Sequence, residues 1–212
     1  MSVYRPGGLD LTRYALTQIG VKPGEALLDI GCGDGSAALC ATQEFGQCVV
    51  AVDRDEHAVQ AARGLGVDAR RMDAEQLELG DLQFDTILME CVLSLIGEKE
   101  AVLRQVCALL RPGGHLVISD VYQKNVESTQ TGCGQKERIN LNGLKGLLDD
   151  MGMECTLCED RTKDLKNFFA QAIMSYGSLE AWFEAEGGWK PCSCQYGKET
   201  GYFLLSVRKQ YA

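Results

Sequence analysis

Short apolar runs alternate with amphipathic stretches along most of the chain's 212 residues. The run Ala26–Ile30 is too short to form a helix of its own and is flanked by turn-forming glycines, which is typical of a buried strand. Similar runs predict strands at 48–52, 68–72, 84–89 and 114–120, and amphipathic stretches predict helices at 9–20, 36–45, 55–64 and 98–110. This alternation predicts a parallel sheet with helices on both faces.

The same alternation continues once more in the last third of the chain. It predicts a helix at 141–150, a strand at 153–159, a long helix at 164–186 and a closing apolar strand at 202–207. No linker or low-complexity segment interrupts it. Because α/β folds of this length commonly form one unit, we expect a single domain spanning residues 1–212.

Glycines follow the first strand at positions 31, 33 and 35, and a helix is predicted to begin directly after them. Glycine lets the backbone adopt positive φ angles and approach a ligand closely, and the start of a helix presents unpaired N–H groups to the same place. Twenty residues beyond Gly33, Asp53 follows the second strand, where a carboxylate can accept hydrogen bonds from ribose hydroxyls. The pattern indicates a site for a cofactor that carries a nucleoside.

The spacing of the glycines separates two cofactor classes. The dinucleotide fingerprint G-x-G-x-x-G/A requires glycine or alanine at position 36, where this chain has Ser36. An NAD-dependent oxidoreductase is therefore disfavoured. The glycine-rich stretch instead reads Asp-x-Gly-x-Gly-x-Gly, with Asp29 as its acidic residue.

That stretch resembles the first motif of the class I S-adenosylmethionine-dependent methyltransferases. The segment 84–90 is similar to the family's fourth strand, and Leu-Arg-Pro-Gly-Gly at 110–114 is similar to the turn that leads into its fifth strand. The resemblance covers residues 20 to 122. It implies a Rossmann-like three-layer sandwich with a seven-stranded, mostly parallel sheet whose last strand is antiparallel. It also implies S-adenosyl-L-methionine as the cofactor, S-adenosyl-L-homocysteine as the product and a small molecule as the methyl acceptor.

The resemblance also implies roles for individual residues. Asp29 and the glycine-rich turn, including Cys32, would hold the methionine part of the cofactor, Asp53 the ribose, and Asp73 and Ala74 the adenine. Glu90 would lie beside the methionine part, where its carboxylate can pair with the α-amino group or act as a catalytic base, and Cys91 next to it fits either a substrate-side ligand or a packing residue. Residues 1–20 would form a lid helix with Arg5 meeting the cofactor or substrate carboxylate, residues 21–122 the cofactor-binding half and residues 123–212 the substrate-side half. The predicted cofactor-binding residues are Asp29, Gly31, Cys32, Gly33, Gly35, Asp53, Arg54, Asp73, Ala74, Glu90 and Cys91.

Charge and the N-terminal sequence narrow the range of partners. The formal net charge is −9 and no run is rich in lysine or arginine, so a nucleic acid backbone would be repelled. The chain has no apolar signal segment and no apolar run long enough to span a bilayer. We expect a cytoplasmic protein that acts on small molecules, without nucleic acid or membrane partners.

Ten cysteines leave a second class of function open. Cys40, Cys48 and Cys107 lie among small apolar residues and are expected in the core. Cys155-x-x-Cys158 lies in a predicted strand, where side chains three apart face opposite sides, so no metal site is predicted there. The alternatives are a thiol-rich methyltransferase that binds a metal or metalloid, and a catalytically silent protein that binds an adenosyl cofactor. The other cysteines considered for metal binding are Cys133, Cys192 and Cys194.

Four aromatic residues mark the expected acceptor side of the molecule. They are Tyr176, Trp182, Phe183 and Trp189. An apolar wall of an acceptor pocket and a core position at helical spacing both fit this pattern.

Overall fold

The computed structural model describes residues 5–124, 139–185 and 199–211. Seven helices and seven strands lie in these ranges. The helices are α1 (Gly8–Ile19), α2 (Ser36–Phe45), α3 (Glu56–Gly64), α4 (Lys99–Leu109), α5 (Leu141–Asp150), α6 (Thr162–Tyr176) and α7 (Leu179–Ala185). The strands are β1 (Ala26–Ile30), β2 (Cys48–Asp53), β3 (Asp68–Arg71), β4 (Phe84–Glu90), β5 (Leu110–Gln123), β6 (Met153–Asp160) and β7 (Thr200–Lys209).

The strands form one sheet in the order β3-β2-β1-β4-β5-β7-β6. Neighbours from β3 to β5 are parallel, and β7 runs antiparallel to both β5 and β6. The predicted seven-stranded sheet with an antiparallel last strand is therefore confirmed. The order reverses between β1 and β4, and ligands of open α/β sheets bind beyond the carboxyl ends of the strands at such a point.

Two apolar layers cover the faces of the sheet because neighbouring residues of its central strands point to opposite sides. One layer contains Ile87 and Met89 of β4 with Leu144 and Leu148 of α5. The other contains Leu88 of β4 with residues of α1 and α6. The alternation in a single strand thus builds both cores, as expected for a central strand buried on both sides.

The predicted long helix at 164–186 is wrong: the chain forms α6 and α7 as separate helices. Gly177 follows α6 with φ +84°, a left-handed conformation that an α-helix does not contain. Ser178 then caps α7 by accepting a hydrogen bond from the Ala181 N–H at 3.1 Å. Glycine and serine in succession therefore end one helix and begin another.

One cysteine prediction is wrong as well, since Cys40 and Cys107 are buried but Cys48 is exposed. Cys48 is the first residue of β2, a strand that becomes buried only at Ala51. Among the described residues, no helix is long and apolar enough to cross a membrane.

The register of β6 departs from a regular strand. Cys155 pairs with Val207 and Cys158 with Leu205, while Thr156 is an extra residue in the register between Cys155 and Leu157, and its hydroxyl donates to the Ser206 carbonyl at 3.1 Å. Such a β-bulge shifts the alternation by one residue. Cys155 and Cys158 therefore face the same side of the sheet, and the prediction that they face opposite sides is wrong.

Candidate active site

A cleft of about 300 Å³ opens at the carboxyl ends of β1, β2, β3 and β4. Its walls come from the segments that follow these four strands. The lining residues are Ile30, Gly31, Val52, Asp53, Arg54, Met72, Asp73, Ala74, Glu75, Cys91, Val92, Leu95, Ile96 and Gly97. The fold thus brings six of the predicted cofactor-binding residues to one cleft, namely Gly31, Asp53, Arg54, Asp73, Ala74 and Cys91.

The glycines of the turn after β1 serve different purposes. Gly31 and Gly35 have positive φ angles, and a Cβ at either would lie 2.2 Å from Val92 or 2.6 Å from the Ala62 side chain. Gly33 also has a positive φ angle, but a Cβ there would meet no atom within 4 Å. Gly31 and Gly35 are therefore required by packing inside the protein, whereas Gly33 leaves open space of the kind that a bound group can fill.

Asp53 fixes this turn from the end of β2. Its Oδ2 accepts a hydrogen bond from the Gly33 N–H at 2.9 Å, and its Oδ1 accepts one from the Asp55 N–H at 2.9 Å. Each carboxylate oxygen has a second lone pair, so Asp53 retains two acceptor positions for a ligand in the cleft. Asp55 in turn caps α3 by accepting from the His57 N–H.

The opposite rim of the cleft joins the end of β3 to the segment after β4. Glu75 accepts a hydrogen bond from the Gly97 N–H at 2.8 Å. Asp73 accepts one from the Glu75 N–H at 2.9 Å through Oδ1, which leaves its Oδ2 without a bond of this kind within the turn. The apolar side chains of Leu95 and Ile96 lie in the same wall. Such a wall can hold a flat apolar ring, with the apolar side chains against the face of the ring and the Asp73 carboxylate accepting from an exocyclic N–H donor.

Beside the cleft, a group of charged residues joins α1 to the ends of β1 and β4. The Arg5 guanidinium lies 2.9 Å from Glu90 Oε2 and donates a 2.6 Å hydrogen bond to Thr12 Oγ1. Thr12 donates to the Glu90 carboxylate at 3.0 Å. The side chains of Arg5 and Glu90 are only 14% and 7% exposed, so this ion pair is shielded from water. It anchors the segment before α1 to the sheet.

Asp29 lies next to this group and is buried. Burial, together with a smaller contribution from the nearby Glu90 carboxylate, raises the pKa of Asp29 to about 7. Asp29 Oδ2 and Arg5 Nε are both buried and have no hydrogen-bond partner among the described residues. Buried polar atoms are rarely left unpaired, so these two atoms are available to a polar or charged ligand.

Cys91 follows β4 in a left-handed conformation, with φ 60°. Its N–H donates to the Ser119 carbonyl at 2.7 Å, and its thiol shares a 3.1 Å hydrogen bond with the Tyr202 hydroxyl. Tyr202 is fully buried in β7 and donates to Ser119 Oγ at 3.1 Å. Burial raises the pKa of the Cys91 thiol to about 12, which keeps it protonated at neutral pH. Three strands thus fix the position of a residue that lines the cleft.

Several predicted site residues lie elsewhere or outside the described residues. The Cys32 side chain is buried among alanines of α2 and α3 and does not line the cleft. Glu90 lies in the ion pair with Arg5 and not in the cleft wall. Trp182 packs edge-on against Phe168, with 5.1 Å between ring centroids. Cys133, Trp189, Cys192, Cys194 and the Phe183 side chain lie outside the described residues.

Sequence reasoning missed the residues that complete this site. Val92, Leu95 and Ile96 come from a short 3-10 turn after β4 that no periodic pattern marks. Thr12 lies four residues before Leu16 on the buried side of α1 and is fully buried. A single hydroxyl within an apolar stripe is the one signal that could have indicated its contact with Glu90.

Comparison with known proteins identifies the class. A family model described as a methyltransferase domain matches residues 21–172. The chain therefore belongs to the class I S-adenosylmethionine-dependent methyltransferases. This confirms the family that the glycine-rich motif indicated, and with it the cofactor expected of the class.

Similar proteins include methyltransferases of different substrate classes. Phosphoethanolamine N-methyltransferase 3 of Arabidopsis thaliana is 27% identical over 206 residues, which cover 87% of this chain and 42% of that protein. Arsenite methyltransferase of Halobacterium salinarum is 32% identical over 151 residues, covering 63% of this chain and 38% of that protein. This chain thus spans about two fifths of the length of either relative.

A solved structure has the same fold over nearly the whole chain. Haemonchus contortus phosphoethanolamine N-methyltransferase 2, bound to phosphomonomethylethanolamine and S-adenosylhomocysteine, superposes with a TM-score of 0.80. It is 22% identical, and the match covers 98% of this chain and 54% of that one.

Proposed function

We propose that this chain transfers the methyl group of S-adenosylmethionine to a small-molecule acceptor. The observation that carries the proposal is the cleft, which Asp53 and Asp73 line at the carboxyl ends of β2 and β3. Family membership supports the same reaction.

The residues fit the cofactor at each of its parts. Asp53 has acceptor positions for both ribose hydroxyls, and Asp73 Oδ2 can accept from the adenine amino group beside Ala74. The space at Gly33 suits the chain of atoms that joins ribose to the amino acid. The unpaired oxygen of Asp29 suits the ammonium group of the methionine part, and the unpaired Arg5 Nε suits its carboxylate.

Glu90 has a positioning role in this proposal. Arg5 and Thr12 both bind its carboxylate, so removal of a substrate proton would require this ion pair to open. Glu90 instead holds Arg5 against the cofactor site, and through Arg5 it holds the segment before α1. The predicted lid thus rests on a specific contact, although residues 1–4 lie outside the described residues.

When bound, the cofactor supplies a methyl group on a sulfonium, which already has a good leaving group. The protein's task is to place the acceptor atom in line with the methyl carbon and to exclude water. Cys91 lines the cleft directly after β4, and its hydrogen bonds to Ser119 and Tyr202 fix its position. Because its pKa is raised to about 12, this thiol is protonated at neutral pH and does not itself serve as a base.

We further propose a free small molecule in the cytoplasm as the acceptor. The net charge of −9 disfavours nucleic acid. The names of the two relatives point to acceptors as different as phosphoethanolamine and arsenite, so they support small size as the common property. We also propose that residues 1–212 form one domain, because a single sheet takes its strands from residues 26 to 209.

Calorimetric titration of reduced protein with S-adenosylmethionine, S-adenosylhomocysteine and NAD tests the cofactor site. Micromolar binding of the two adenosyl ligands, with none of NAD, is expected. A screen with deuterated methyl donor against small amines, thiols, hydroxy acids and arsenite then tests the reaction by mass spectrometry. Binding of the adenosyl ligands with no labelled product from any acceptor class would favour the catalytically silent alternative.

A further inference from the structure

We propose that Cys155 and Cys158 form a two-thiol site for a soft, thiophilic ion such as Cu(I), on the edge of the sheet away from the cofactor cleft. Both cysteines are exposed and unoxidised. They lie on β6, which is three places along the sheet from β4 and forms its last strand. The site is thus separate from the cleft at β1 to β4.

The bulge at Thr156 creates the site. Cys155 lies opposite Val207 and Cys158 opposite Leu205, and both partners belong to the apolar layer that α5 covers. Residues directly opposite in an antiparallel pair share a face, so both thiols project to the α5 side. Leu157, between them, packs into the layer on the other face, which establishes the alternation independently.

The spacing favours a bridging ion over a disulfide. Because the partners of the two cysteines are two residues apart on β7, the cysteines are separated by about two strand rises, roughly 6.5–7 Å between Cα atoms. That separation is at the upper limit for a disulfide, whose Cβ atoms must approach to about 4 Å. An ion held between two sulfur atoms spans a wider gap than a direct S–S bond does.

The surroundings favour an ion that two thiolates satisfy. Within the described part of the chain, no group of three or more His, Cys, Asp or Glu side chains is placed to hold a metal. Structural Zn²⁺ sites usually have four such ligands, whereas soft Cu(I) prefers thiolates and accepts two of them. Lys145 of α5 lies close enough to lower the pKa of the Cys158 thiol, although burial is the larger effect and the pKa is raised overall. Its positive charge would also stabilise an anionic dithiolate complex.

Binding proceeds without oxidation or reduction: each thiol loses a proton to solvent, and two Cu–S bonds form. Titration of Cu(I) under argon, in competition with a chromogenic Cu(I) chelator, measures it. The parent for all variants carries Cys133→Ser, Cys192→Ser and Cys194→Ser, which removes the thiols outside the described residues. One equivalent of Cu(I) is expected to bind. Cys155→Ser and Cys158→Ser should each weaken binding by roughly 100-fold, since a chelating pair gains that much over a single ligand.

Two controls separate the pair from its component thiols. Cys48→Ser removes another exposed strand thiol and should leave Cu(I) affinity unchanged. Cys158→Ser combined with Leu157→Cys keeps the number of thiols but places them on opposite faces, and should bind as weakly as Cys158→Ser alone. Thermal unfolding shows which variants are folded. Tight binding that survives in either single variant or in the relocated pair, or no tight binding in the parent, overturns the proposal.

Discussion

The two halves of the sheet differ in whether their buried polar groups have hydrogen-bond partners. Beside the ends of β1 and β4, Asp29 Oδ2 and Arg5 Nε are buried without a hydrogen-bond partner among the described residues. On β5, by contrast, both oxygens of the buried Asp120 carboxylate have partners. They accept hydrogen bonds from the N–H groups of Ser94 and Val121.

This difference indicates that the region around Asp29 is arranged to bind a ligand, whereas the region around Asp120 has a structural role. Burial raises the pKa of Asp29 to about 7 and that of Asp120 to about 6, so burial alone does not distinguish them. The distinction lies in the partners, because backbone N–H groups stabilise the Asp120 carboxylate whereas one Asp29 oxygen has none. We infer that the hydrogen bonding around Asp29 is completed only by a ligand, whereas that around Asp120 is complete within the protein.

The largest expected effect comes from Asp53→Ala. The variant loses two charge-assisted acceptor positions for ribose hydroxyls and the bond that fixes the glycine-rich turn, so S-adenosylhomocysteine affinity should fall at least about 100-fold. Calorimetric titration measures it. Asp68→Ala, which removes an exposed carboxylate of β3 paired with Arg70, is the matched control and should bind normally. Equal affinities for the two variants would remove the ribose assignment.

Glu90→Gln tests whether the Arg5 contact positions the cofactor site. The substitution keeps the size of the side chain but leaves the Arg5 charge without its partner, so we expect about tenfold weaker binding of S-adenosylhomocysteine. Glu44→Gln on α2 breaks an exposed ion pair with Arg13 of α1 and should change affinity less than twofold. If Glu90 were instead the base, the turnover number would collapse while affinity stayed normal.

Asp29→Asn tests the cost of the buried carboxylate. The pKa of Asp29 is raised above its unfolded value, so its contribution to stability is complete at low pH and is lost as pH rises through about 7. Between pH 5 and pH 8 the parent should therefore lose about 2 kcal/mol more of its free energy of unfolding than the variant does. The variant should also bind the cofactor more weakly. Urea unfolding of the cofactor-free proteins at both pH values measures this. A parallel pH dependence in the two proteins would show that Asp29 does not titrate in this range.

The smallest effect on cofactor affinity is expected for Cys32→Ala, which tests whether the side chain of this turn residue contributes to binding. Cys32→Ala should reduce the free energy of unfolding by about 1 kcal/mol, because the thiol packs in the core, and should leave cofactor affinity within twofold. Gly33→Ala is the matched comparison. Its methyl group would occupy open space and should lower affinity strongly in spite of causing no clash in the protein. Calorimetry and urea unfolding of both variants test the difference.

The sequence predicted the elements that periodicity marks. Short apolar runs and glycine-rich turns located the strands. The position of Asp53 after the second strand singled out that residue, and the family resemblance singled out Asp73; both line the cleft. Contacts between distant segments carry no such signal. Thr12 and Glu90 meet across 78 positions, and an amphipathic pattern counts Thr12 only as buried. The bulge at Thr156 was missed for a related reason, since regular alternation was assumed where one extra residue reverses it.

That bulge also bears on solubility. In the part of the chain that the structure describes, β6 is the last strand of the sheet and pairs with β7 alone, so the backbone N–H and C=O groups on its other side have no strand partner. An open, regular edge of this kind can add strands from another copy of the chain. Thr156 interrupts the spacing of those groups, and a second chain aligned with one part of β6 would be out of register with the rest. We therefore expect the irregular strand to disfavour edge-to-edge aggregation.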